Sequence, residues 1–242
     1  MLVEYLYFDE ARLDSYIEQF ASPEHVKRYA SWKLGGDLTG IRGEVSSAPH
    51  IRSMTKHEKV EAFTKFVVDN DLIAGHCSDF EYPLAPRPFA DFTVDARRFF
   101  IPGPKVAVWV SKPPAPTKSR KSNDGMTFLI EDSQGKDSEP YHRYSSYSAL
   151  WLLADELNRT GRDIRNLAHD FDEDEQPAHS SIVFAEDPFG FLEKVGAQAG
   201  PISRVRAIFK YRASSTDISS SRGHTPTTVG YPIFIERVES PV

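Results

Sequence analysis

The sequence predicts an α+β protein: a mixed, largely antiparallel sheet with packed helices and a helix-rich N-terminal part. Three observations carry that prediction. Apolar residues alternate at period two in several stretches beyond residue 90, above all Lys105–Ser111 (KVAVWVS) and Ser203–Ala213 (SRVRAIFKYRA). Helical spacing instead marks residues 9–20, 24–34 and 55–72, and helix-start chemistry recurs there. Strands and helices alternate only in part, and neighbouring strands fall where hairpins can form, which argues against a doubly wound parallel sheet.

In order, Met1–Phe8 reads as a strand, and Asp9 as the N-cap of a helix whose apolar face is Leu13, Tyr16, Ile17 and Phe20. Residues 24–34 carry Val26, Tyr29, Ala30 and Trp32 and read as a short helix before a glycine-rich loop at 35–43. Those glycines lack the spacing of a dinucleotide-binding turn. Thr55 and Glu58 form a capping-box pair ahead of Val60, Phe63 and Val67, with Gly75 as the expected stop near residue 72. Three prolines in 82–91 (YPLAPRPFAD) mark a connector, so the expected division is a strand-plus-helical part at 1–81 and an α+β sheet part at 92–242.

Strands are expected at Phe92–Phe100, Lys105–Ser111 and Met126–Glu131, separated by the proline-rich, basic segment 112–125 (KPPAPTKSRKSNDG). A helix follows around Tyr147–Asn158 on Leu150, Leu153, Ala154 and Leu157. A strand is expected at Ser181–Glu186, then a helix started by Asp187 and Pro188. Two strands, Ser203–Ala213 and Tyr231–Val238, flank a Ser/Thr-rich loop at 214–228.

Composition narrows the function classes. The 242 residues are 40% hydrophobic and 12% aromatic, a folding composition. A net charge of −6 disfavours general charge-driven binding to nucleic acid or anionic lipid. One cysteine, Cys77, excludes an intrachain disulfide and a thiolate-rich zinc site. No secretory signal pattern opens the chain and no apolar run reaches the length of a membrane span, so the expectation is a cytoplasmic protein without a membrane partner.

Two clusters offer chemistry. His169, Asp170, Asp172, Glu173, Asp174, Glu175 and His179 concentrate oxygen and imidazole ligands that suit a hard divalent cation, manganese or zinc, though the calcium-loop pattern is missing. The plainer reading is a solvated acidic loop. On the strand 203–212, alternation gathers Arg204, Arg206, Lys210 and Arg212 on one face, opposite Val205, Ala207, Phe209 and Tyr211. Such a row can track phosphates or nucleic acid. Its plainer reading is a solvent face whose cations pair with the 170–175 acids. His76-Cys77-Ser78-Asp79, Tyr141-His142-Arg143-Tyr144 and Arg222-Gly223-His224-Thr225 place reactive types side by side without the spacing of any catalytic motif.

Tyr7, Asp9, Glu10, Ser15 and Gln19 spell Y-x-D-E-x4-S-x3-Q. This opening resembles that of a family of uncharacterised bacterial proteins over roughly the first 20 residues. The resemblance implies a bacterial, cytoplasmic protein, and by analogy a place in a phage-defence or mobile-element gene set. It carries no activity. The resulting expectation is a non-catalytic interaction or regulatory component with a protein partner and no cofactor. The alternative is a metal-dependent hydrolase or nuclease acting on a phosphate-containing substrate, with the 169–179 acids holding a divalent metal. That alternative requires a stoichiometric divalent cation in elemental analysis of the purified protein, lost in Asp170→Ala/Asp172→Ala. A metal-free protein whose melting temperature ignores added manganese and magnesium ends it.

Overall fold

The structure is a computed structural model and describes residues 3–20, 54–74, 88–111, 126–131, 142–144, 149–159, 184, 187–215 and 227–239. Its chain falls into two compact units, Asp9–Asp71 and Met1–Phe8 with Leu72–Val242. The first strand therefore belongs with the sheet, and most of the expected connector 82–91 lies outside the described residues.

The smaller unit contains helix α1 (Glu10–Phe20) and helix α2 (Lys56–Asp69). Asp9 caps α1 as expected, its Oδ1 accepting from the Arg12 amide at 2.9 Å. Thr55 and Glu58 close a reciprocal capping box on α2. The helices meet through rings: Tyr16 stacks on Phe63 at 5.7 Å between centroids, and Phe20 on Phe66 at 3.6 Å. Lys59 is buried and reaches Glu10 at 2.9 Å and Asp14 at 2.7 Å. Helix α2 stops earlier than its apolar spacing predicts, and Asp71, at φ 55°, takes the left-handed turn expected of Gly75. Aspartate tolerates that conformation better than most residues. Gly75 itself, and the helix expected at 24–34, lie outside the described residues.

The larger unit contains strands β1 (Tyr5–Phe8), β2 (Ile73–Ala74), β3 (Phe89–Ile101), β4 (Val106–Ser111), β5 (Met126–Glu131), β6 (His142–Tyr144), β7 (Gln198–Ser215) and β8 (Thr227–Arg237), with helices α3 (Ala149–Arg159) and α4 (Pro188–Lys194). The mixed α+β class holds, but the sheet is not open. Antiparallel pairs β3–β4, β4–β5, β3–β7 and β7–β8 join the parallel pair β5–β8 in a closed five-stranded ring. Strands β3, β4 and β5 follow one another, and β7 returns beside β3, which is Greek-key order. Strand β8 then closes the gap between β7 and β5, while β1, β2 and β6 extend the ring at its margins.

Alternation assigns the two faces. On β3 and β7 the side bearing Asp95 and Arg204 is exposed, so the opposite side faces the lumen. Ala90, Phe92, Ala96, Trp109, Leu129, Val205, Ala207, Phe209 and Ile235 pack there as one cluster drawn from all five strands. The outward faces of β4 and β5 (Val106, Val108, Val110, Met126, Phe128, Ile130) are covered by Leu150, Leu153 and Leu157 of α3 and Phe191 and Leu192 of α4. Burial on both faces explains why these two strands read as nearly unbroken apolar runs.

Helix α4 starts as its sequence predicts, with Asp187 accepting from the Gly190 amide and Pro188 in the first turn. Phe184 does not match the strand expected at Ser181–Glu186: it is helical and stacks on Phe128 at 5.6 Å between centroids. A short apolar run fits a buried helix as well as a strand, and the rest of 181–186 lies outside the described residues. The loop expected at 214–228 is shorter, because Ser214–Thr228 and Ser215–Thr227 are paired in the β7–β8 ladder.

Two outcomes follow. A Cβ on Gly230 would overlap the Phe209 ring and stand 2.6 Å from the Lys210 carbonyl oxygen. Gly230→Ala should therefore cost ~1–3 kcal/mol in chemical denaturation, the usual range for overpacking; an unchanged midpoint would contradict the narrow lumen. In the helical unit, the Lys59 hydrogen bond and charge hold Glu10 below its ordinary carboxyl value. The unfolded chain then takes up that proton first, so Glu10's contribution exists above the ordinary glutamate value and is lost as pH falls through its lowered folded value. Lys59 is raised: burial opposes its charge, but Asp14 and Glu10 outweigh it, so its contribution is lost only at alkaline pH. Melting curves from pH 2 to pH 7 should show this acid loss in the native protein and a smaller one in Lys59→Met.

Candidate functional site

The expected basic row on β7 is resolved residue by residue. Arg204 lies on the exposed face, 3.4 Å from Asp95 across the β3–β7 pair. Arg206 sits opposite Thr93 and is held on two sides. Its Nη2 donates to Asp91 Oδ2 at 2.7 Å, its Nε to Asp91 Oδ1 at 3.1 Å, and its Nη1 to Glu236 Oε1 at 3.2 Å. Its guanidinium also lies 6.0 Å from the Phe234 ring centre. Asp91, through hydrogen bond and charge together with Glu236, holds the Arg206 pKa above its ordinary value. Among the described residues, the acids that pair with these cations come from the neighbouring strands β3 and β8, and the acids at 170–175 lie outside the described residues.

Arg212 does not join the row. Opposite Gly230 and Val229, β7 runs from Tyr211 to Ala213, so Arg212 is an extra residue at a bulge. The bulge turns its side chain off the ladder into the protein, where the residue is 5% exposed. There its Nε donates to Glu156 Oε1 of α3 at 2.8 Å, and the Tyr231 hydroxyl donates to the same oxygen at 2.6 Å. Lys210, half-buried, lies opposite Tyr231. Burial pushes the Glu156 carboxyl up against the pull of the Tyr231 hydroxyl and Arg159, and burial lowers Arg212. Mutual pairing and the tyrosine bond offset part of the desolvation of the two charges.

A band of hydroxyls lies nearby, at the end of the barrel where β4 and β7 finish and β5 and β8 begin. Ser111 Oγ accepts from the Thr127 amide at 2.8 Å, Thr127 stands beside Thr228, and Thr228 beside Ser214. All four residues are buried. Thr227, buried too, pairs with Met126 and Ser215 one step nearer that end. The opposite end has different chemistry: Glu131 receives Arg98 through two bonds of 2.7 Å and the Trp109 indole N–H at 2.6 Å. One end thus carries neutral donors and acceptors next to a buried ion pair, the other a partly exposed ion pair.

His169, Asp170, Asp172, Glu173, Asp174, Glu175 and His179 lie outside the described residues, as do Cys77 with its neighbours and Arg222–Thr225. Among the described residues no group of three or more His, Cys, Asp or Glu side chains is placed to hold a metal ion. His142, Arg143 and Tyr144 form β6, parallel to the end of β7. Sequence reading missed the hydroxyl band and the Glu156–Tyr231 partners of Arg212. The available signals were the serines and threonines that end apolar runs, and a lone acid on the apolar face of α3.

In comparisons with protein-family models, curated proteins and solved structures, the chain finds no match.

The buried cluster gives a double-mutant test. Tyr231→Phe should cost ~1.5–3 kcal/mol, the range for one hydrogen bond to a carboxylate. Arg212→Met alone leaves a buried carboxylate without its cation and should cost ~3–5 kcal/mol in denaturant titration, whereas Arg212→Met/Glu156→Leu should recover most of that loss. Additive effects of the two substitutions would show that the pair is not coupled.

Proposed function

We propose that the protein is a non-catalytic interaction or regulatory component that meets a protein partner at the barrel end where two polar connections are rooted. The observation that carries this reading is the register at the hydroxyl-lined end. Ser111 contacts Thr127, Met126 pairs with Thr227, and Thr227 pairs with Ser215. The connections 112–125 and 216–226 therefore leave and re-enter the barrel at one end. Both are polar, and the first carries Lys112, Lys118, Arg120 and Lys121. Fixing the roots of two connections on neighbouring strands lowers the entropy cost of binding through them.

Five-stranded Greek-key barrels, the OB-fold among them, recur as binding modules for oligonucleotides and oligosaccharides, although architecture alone does not carry function. Charge favours a protein partner over nucleic acid here. The outward cations Arg204 and Arg206 face Asp95, Asp91 and Glu236, and the chain carries a net −6, so the barrel wall offers phosphates little attraction. A setting in a phage-defence or mobile-element system rests on the opening sequence motif alone.

The test compares the native protein with a variant whose 112–125 segment is replaced by a Gly/Ser segment of equal length. Partners retained from a bacterial lysate should be lost by the variant, with its melting temperature unchanged, and neither protein should shift single-stranded DNA or RNA on a sizing column at physiological salt. Turnover of a nucleotide or nucleic acid by the pure protein would overturn the proposal, as would equal partner retention by the variant.

A further inference from the structure

We draw no further inference here: the strongest candidate, the band of buried hydroxyls of Ser111, Thr127, Thr228 and Ser214 at the barrel end beside the Arg212–Glu156–Tyr231 cluster, belongs to the site already described, and nothing in the structure shows what covers it.

Discussion

Everything in the larger unit depends on one pairing, the parallel contact of Met126–Leu129 with Thr227–Gly230. Without it, β3, β4, β5, β7 and β8 form a twisted open sheet with two bare margins. With it, the ring is closed and its ladder groups are satisfied within the chain. Closure also dictates the side chains. A five-stranded lumen is narrow: a Cβ on Gly230 would collide with Phe209, and Ala90, Ala96 and Ala207 pack there among Phe92, Trp109 and Phe209. The outer faces of β4 and β5 then become the platform on which α3 and α4 lie.

Charge is arranged along the same logic. Strand-to-strand pairs hold the wall, as Arg206 does between Asp91 and Glu236, and a bidentate pair marks one end at Arg98 and Glu131. The exposed pairs contribute little stability individually, because water competes for both partners. Glu156 differs, since its carboxylate links α3 to two barrel strands through Arg212 and Tyr231 where water does not compete. Because Arg204 and Arg206 on the wall are paired with the wall's own acids, the contact we propose is placed at the barrel's end instead.

Much of this was legible in the residues themselves. The β4 and β5 runs, the Thr55–Glu58 box, the Asp187–Pro188 start and the Val205/Ala207/Phe209 face each follow from local spacing, and each is found. What was illegible depends on partners far away in sequence. Strict alternation puts Arg212 beside Arg206, but an extra residue in β7 relative to β8 breaks the period, and no local pattern announces that bulge. At Phe184 the short apolar run did not by itself tell helix from strand. Ring closure was invisible because it joins residues about a hundred positions apart, and composition does not record which strand completes a sheet. The hydroxyl band was hidden similarly, since Ser111, Thr127, Ser214 and Thr228 become a group only after four strands are in register.

The place of β8 in the chain has a consequence for biogenesis. It is synthesised after every other described strand, yet it pairs with β1, β5 and β7. On the ribosome, Tyr5–Phe8 must therefore wait for Phe234–Glu236, and β5 for Thr227–Gly230, so the growing chain carries apolar strands with unsatisfied edges until translation passes residue 237. Contacts of such long sequence separation form slowly, and exposed edges invite association with other nascent chains. The same late strand that completes the barrel therefore also sets when the edges of β1, β5 and β7 are covered.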